Sequence, residues 1–365
     1  MSASARAPEA GADAGEEIAL DVVRSFPGRA VLVEPDGAIH LGRNYDILRS
    51  DDDGAHWTHV TALPRAPWRR AAEISRLACR LLRQEVRALV RLADGGYVAA
   101  NREGVFFGRA GDPRLRPSTV ESGALPLMPP MRLCAGPGDT VVWGEYGCPD
   151  EPRAVRLFAS RDAGQSFQAV SALAAGEVLH VHNVLWDAAE GHYWVLAGDH
   201  GPAAGIGRLS ADFARFEWFV RGEQRFRAVH AFDFGDRLVY ATDTELEPNG
   251  LIVLDKRSGR AARLREFEGS CIYACRFGGL CALTTTVEPS SVNRSRFASL
   301  WVSRDGERWR RAWRARKDRW HADYFQFGSV VLPSGESGRE RLVFSGQALE
   351  GLDGRTLVAR VAADV

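Results

Sequence analysis

Two histidines one residue apart, in "HVHN" at 180 to 183, are the sharpest chemical signal in this chain. Alternate residues of a strand share a face, so His180 and His182 point the same way, a spacing that can grip a divalent metal or hand on protons. Their bland alternative is a polar pair at a wet channel mouth, with Asn183 beside it. Carboxylates stand in similar polar loops: Glu145 next to Tyr146 in "WGEYG", Asp199 and His200 in "AGDHG", Asp243 in "ATDTELEPNG", and Glu288 in "TTTVEPSSVNRSR". Hydrolysis of a glycosidic bond needs one carboxyl protonated to help the leaving oxygen depart and a second group as nucleophile or water-activating base. The same acids can instead hold loop backbones through turn bonds. Elimination at a uronate would use His or Tyr to move protons, and His182, His230, Tyr146 and Tyr273 are placed for that. Arg87, Arg132 and Arg227 open three apolar runs, and a guanidinium fork can donate two parallel bonds to a sugar carboxylate.

These groups sit in a repeating frame. Short alternating apolar runs separated by Gly-rich turns recur with a period of roughly 40 to 50 residues, the signature of four-stranded repeats. "AVLVEPDGAIHLGRNYDILRSDDDGAHWTHV" holds four short strands in the interval 28 to 62. Later intervals span 84 to 122, 127 to 173, 178 to 222, 224 to 267, 268 to 316 and 320 to 361. The last contains three clear strands, while "IALDVVRSF" at 18 to 26 is left over and is expected to supply the fourth, removing an open edge. "PWRRAAEISRLACRLLRQEVR" breaks the pattern: Ile74, Leu77, Ala78, Leu81 and Leu82 at helical spacing predict one helical insertion near 66 to 83. It reads as a cover over one end of the repeats, or as a basic helix for a partner.

The turns carry their own repeat. "SDDDGAHW" places Ser50, Asp52, Gly54 and Trp57 as Ser-x-Asp-x-Gly-x-x-Trp; "SRDAGQSF" repeats it at Ser160, Asp162, Gly164 and Phe167. "SRDGERW" carries Ser303, Asp305 and Trp309 one residue short, and "SADFARFEW" keeps Ser210 and Asp212 with Ala214 in the glycine's place. Ser and Asp side chains bond nearby backbone N–H groups, Gly supplies a positive φ, and the aromatic is expected to return the chain to the core. These loops resemble the Asp-box of the sialidase-like, BNR-repeat β-propellers, which joins the third and fourth strands of a blade. The resemblance covers nearly the whole chain at the level of fold. It implies an all-β propeller of seven blades, with six as the alternative, closed by the N-terminal strand as a single domain over 17 to 365.

In such a propeller ligands meet the axial end of the channel. The resemblance therefore nominates Glu145, Tyr146, His182, Asp199, His230, Asp243, Tyr273 and Glu288 as catalytic candidates. Arg87, Arg132, His180, Asn183, Arg227, Asn249, Arg296, His321, Tyr324 and Gln326 are nominated for substrate binding. Sialidases of this superfamily use three arginines for the substrate carboxylate, a tyrosine with a glutamate as nucleophile, and an aspartate as acid/base. Their Arg-Ile-Pro sequence is absent here, which leaves the activity open between a hydrolase, a lyase and a glycan- or protein-binding propeller without catalysis.

Composition narrows the partners. The 365 residues are 45% hydrophobic and carry 47 basic against 47 acidic side chains, so no general charge draws the chain to nucleic acid or an anionic membrane. A saccharide or glycoconjugate is the expected partner, with no cofactor beyond the option of a divalent metal at His180 and His182. Residues 1 to 16 are small, polar and slightly acidic, expected to be a disordered tail and lacking the apolar run of a secretory signal. No stretch is long enough for a membrane span. Six cysteines without a CxxC read as buried thiols, and with them the chain reads as cytoplasmic.

Overall fold

The strands Arg29–Val33, Ile39–Arg43, Asp46–Ser50 and Thr58–Ala62 pair antiparallel in chain order, as their alternation requires. The computed structural model describes residues 17 to 199 and 201 to 362. The same four-stranded order recurs from Ala88–Arg91 to Arg116–Pro117, from Cys134–Ala135 to Ser166–Leu173 and from His180–Asp187 to Phe216–Arg221. It recurs again from Phe232–Asp233 to Ala261–Phe267 and from Cys271–Phe277 to Arg310–Arg316. Gly328–Val331, Leu342–Gln347 and Arg355–Val361 follow, and the fourth strand of that group is Leu20–Pro27, which pairs with Arg355–Val361 from Leu20 opposite Val361 to Pro27 opposite Arg355. Pairing of Thr286 with Ser329 merges the last two groups into one larger sheet.

Apolar faces of successive groups pack on each other. Ile47, Leu89 and Phe106 fill one such layer, and Val98, Trp143 and Phe158 the next, with Trp143 stacked on Phe158 at 4.4 Å between ring centres. Phe26, Val343 and Val358 of the last group meet Ala30, Ile39 and Leu41 of the first. Such layers, buried on both sides, supply the hydrophobic stabilisation of the whole chain. At the inner ends the backbones run close: a Cβ on Gly144 would lie 2.4 Å from the Val181 Cβ, so glycine is required there.

The four Ser-Asp turns each join the third and fourth strands of their group, and all four carry a Ser-to-Asp hydrogen bond. Ser160 Oγ donates to Asp162 Oδ1 at 2.7 Å and accepts from the Gly164 N–H at 2.8 Å, while Asp162 Oδ1 accepts from the Ser166 N–H at 2.9 Å. Ser50 and Asp52 repeat these bonds, and the shortened Ser303 and degenerate Ser210 turns keep the Ser-to-Asp bond. Phe167 and Trp309 are buried as expected, but Trp57 is only half-buried, its ring edge-on to Phe26 at 4.8 Å.

The insertion differs from the single expected helix. It forms two short helices, Pro67–Ala72 and Arg76–Leu81, because Ser75 breaks the first and caps the second by accepting from the Ala78 N–H. Ile74 is 93% exposed, whereas Arg80 is buried, bonded to Asp318 and to the Phe325 carbonyl. A second departure lies at Tyr324 and Phe325, where the run "YFQFGSVVLP" is expected as strand but the chain forms a short helix, Ala322–Phe325, capped by His321. No helix among the described residues is long and apolar enough to cross a membrane. The tail over 1 to 16 and His200 fall outside the described residues.

Candidate functional site

Arginines at the start of successive inner strands converge on one cavity of about 320 Å3, lined by Arg29, Arg87, Arg132, Tyr146, Tyr273 and Gln326 among others. Arg29 opens the first strand of its group, Arg87 directly precedes Ala88–Arg91, and Arg132 precedes Cys134–Ala135, so equivalent places in three groups aim guanidinium groups at one space. Arg29 Nη1 donates to Glu85 Oε2 at 2.8 Å, and its Nη2 lies 3.5 Å from the Tyr273 hydroxyl. Among the described residues Arg87 bonds the Pro130 carbonyl, at 3.3 Å, and lies over the face of Tyr146, with the charge of Glu85 also acting on it. Arg132 lies 4.8 Å from the Tyr273 ring centre and has no hydrogen bond or carboxylate partner among the described residues. Burial, and then the charges of Arg29 and Arg87, push the Arg132 pKa down, but a guanidinium stays protonated throughout the physiological range. Arg132 also borders a second cavity of about 430 Å3, whose walls include Asn183 and His230.

Tyr146 forms the wall between this basic pocket and an acidic cluster. Its ring packs on His180 at 4.3 Å and lies 6.3 Å from His182. Burial, and then the charge of Asp243, raises its hydroxyl pKa well above the ordinary range, so the phenol stays protonated. Beyond it, Arg227 binds Asp199 at 2.5 Å and Glu245 at 2.6 Å. Asp243 follows the strand Arg237–Ala241 and Glu288 follows Leu280–Val287, and both bond the Ser270 hydroxyl. Burial is the main cause that raises Asp243 to about 6 and Glu288 to about 7, with Asp199 and Glu245 adding to the first and Asp243 and Glu245 to the second. Asp243 is 7% exposed and its Oδ1 has no hydrogen-bond partner. Glu288 holds a proton near neutrality, the state in which a carboxyl can serve as general acid, while Asp243 beside it is largely ionised there.

Other nominated residues are placed elsewhere. Arg227 is not a third grip on the same anion, because Asp199 and Glu245 claim its two ends. Glu145 is withdrawn from the cavity: Arg153 and Arg156 reach it at 2.7 and 2.6 Å and the Met128 N–H bonds it, since strand alternation sends it opposite to Tyr146. Asn249 is fully buried, bonded to Thr244 and Asn293, and holds its loop. Asn183 bonds the Val229 carbonyl and borders the second cavity with His230, whose pKa is lowered to about 3 by burial and then by Arg132. Arg296, His321 and Tyr324 are exposed, Tyr324 by 62%, and do not line the first cavity. Cys148 is exposed rather than buried like the other five thiols. Sequence reasoning passed over Arg29, Arg83, Glu85, Arg102 and Ser270, although Arg29 in "PGRAVLV" repeats the placement of Arg87.

The His180 and His182 rings are 4.8 Å apart, and each Nδ1 faces a backbone carbonyl, of Gly147 and Ala228. Burial drives the His182 pKa well down, leaving a neutral imidazole. Among the described residues the three-membered cluster with ligand atoms near enough for one ion lies elsewhere, at Asp187, Glu190 and His192. The Lys256 ammonium already occupies it, 2.7 Å from Asp187 and 2.9 Å from Glu190.

No family model matches the chain, and no curated protein matches it in sequence. Among solved structures it is similar to a chain of the mitotic checkpoint complex, at 9% identity and a TM-score of 0.56, covering 99% of this chain and 98% of that one. It is also similar to the extracellular domain of a hybrid two-component system from B. thetaiotaomicron, at 11% identity and a TM-score of 0.55. A one-component counterpart gives 10% and 0.52. Each of these two covers 93% of this chain, which spans 39% of theirs. At such identities the likeness is one of fold alone: the chain is all-β and propeller-like.

Proposed function

We propose that the four-stranded groups are seven blades of one propeller of the Asp-box type, closed by Leu20–Pro27, and that the axial pocket belongs to a carbohydrate-active enzyme acting on an acidic sugar. The observation that carries this reading is the position of Arg87 and Arg132, half-buried in one cavity and bonded to no carboxylate among the described residues, with Tyr146 between them and the raised-pKa carboxyls Asp243 and Glu288. A half-buried guanidinium without a bonded carboxylate gains from a ligand carboxylate that takes its parallel N–H donors. Arg87 and Arg132 would orient the sugar, Glu288 would protonate the leaving oxygen, and ionised Asp243 would act as the base. Tyr146 would stand between them as a positioning or nucleophilic hydroxyl. The free thiols favour a cytoplasmic setting, where the substrate would be a biosynthetic or recycling intermediate.

Turnover of a panel of uronic-acid and sialic-acid glycosides, read by reducing ends and by the ultraviolet absorbance of unsaturated uronates, tests it. Release of either product, abolished in Glu288→Gln, is expected. A second reading, glycan binding without catalysis, draws on the withdrawal of Glu145 and Asp199 into arginine pairs. Saturable binding with no product across the panel would select that reading.

A further inference from the structure

The basic pocket holds more positive charge than one carboxylate can answer. Five arginines line it, Arg29, Arg83, Arg87, Arg102 and Arg132, against two carboxylates, Glu85 and Asp323. Glu85 is taken by Arg29, and Asp323 is exposed at the rim. Arg83 meets only the Asp323 backbone carbonyl, at 2.9 Å, and Arg102 has no carboxylate partner among the described residues. Glu85 also acts on Arg83 and Arg87 but is one charge among five, so two incompletely neutralised sites lie along one cavity: Arg87 with Arg132 at the inner end, and Arg83 with the exposed Arg102 at the mouth. The repulsion is mutual, since burial and then Arg102 lower the Arg83 pKa, and Arg102 also acts on Arg87.

We infer that the ligand is a sugar bearing two separate anionic groups, a carboxylate at Arg87 and Arg132 and a phosphate ester at Arg83 and Arg102. The inference rests on the acidic-sugar reading and narrows its substrate class. A surplus of three positive charges matches one carboxylate plus a phosphate dianion, whereas a carboxylate alone leaves the mouth arginines unanswered. Arginine is suited to both ends because its fork takes carboxylate and phosphate oxygens in parallel bonds.

Calorimetry at fixed ionic strength with D-glucuronate, D-glucose 1-phosphate and D-glucuronic acid 1-phosphate tests it on the wild type and on R83Q, R102Q and R132Q. The doubly charged probe is expected to bind at least about tenfold tighter than either singly charged one. R83Q and R102Q should remove that gain while leaving glucuronate affinity within about threefold, and R132Q should weaken glucuronate itself. If glucuronate binds but the phosphate adds nothing, the second anion site is wrong and the acidic-sugar reading stands. Failure of all three probes on the wild type would overturn both. Binding of glucose 1-phosphate that is lost in R102Q, with no binding of glucuronate, would keep the mouth site and remove the carboxylate grip.

Discussion

The Arg132 guanidinium lies over Tyr273, the same residue whose hydroxyl Arg29 approaches, so two cations share one aromatic side chain. Cation–π attraction supplies about 0.5 to 2 kcal/mol, well below the penalty of several kcal/mol for holding an ion out of water. The pocket is thus poised for an anion at some cost in stability, as functional sites often are.

Arg132→Gln is therefore expected to weaken an acidic ligand about tenfold or more while leaving the ligand-free thermal midpoint unchanged or raised. Calorimetry and a thermal melt check this together. A lowered midpoint with unaltered affinity would assign Arg132 to the fold instead.

The carboxyl pair gives a pH dependence in two observables. With Asp243 raised to about 6 and Glu288 to about 7, turnover should be greatest between those values, and Asp243→Asn should abolish the acidic limb of the profile. For stability the sign is the reverse of the usual carboxylate: the folded chain retains protons that the unfolded chain has released. This pair's contribution therefore falls as pH rises from about 4 to about 7. Asp162 works the other way, because hydrogen bonds from Ser166 and Ser160 outweigh its burial and lower its pKa. Its contribution is present at neutral pH and lost in acid. Urea unfolding of wild type and Asp243→Asn across this range separates the two, the variant being flatter.

Ser160→Ala should cost about 0.5 to 2 kcal/mol, by analogy with lost helix caps, because the buried hydroxyl serves both Asp162 and the Gly164 N–H. Ligand affinity should not change, since the turn recurs in several groups and a single site needs each group once. Reduced affinity at unchanged stability would contradict the structural role.

Deleting residues 1 to 15 should leave the thermal midpoint nearly unchanged, as that stretch offers no apolar run. Deleting 1 to 27 removes the partner of Arg355–Val361 and the ring against Trp57, and should promote aggregation through the exposed edge. Light scattering of both truncations decides, and equal behaviour would refute the role given to Leu20–Pro27.

The strand groups fall inside the intervals read from alternation and turn residues, because both signals are local and recur. Arg87, Arg132, Tyr146, Tyr273 and Gln326 were legible as neighbours for the same reason: equivalent positions in a repeat come together at its inner end. What stayed hidden depended on pairings distant in sequence. Nothing within "FRAVH" tells that Asp199 and Glu245 take both ends of Arg227, and a one-residue alternation decides that Tyr146 faces the cavity while Glu145 meets Arg156. In "HADYF" the helix depends on His321 accepting from the Asp323 N–H, a local bond that strand periodicity does not register.

Leu20 faces Val361 across a pair of strands, which sets a timetable for synthesis. A ribosome adding about 5 to 20 residues each second needs roughly 17 to 70 s to make the intervening chain, and until then the first strand has no mate. During that interval its free N–H and C=O groups and Phe26 are available to any other unpaired strand, including the same segment on a neighbouring nascent chain. The native pairing also closes the longest strand-to-strand loop among the described residues, so it is expected late in folding and governed by chain entropy more than by local preference. Holdase chaperones that bind the emerging Leu20–Pro27 segment would act on yield through this one strand.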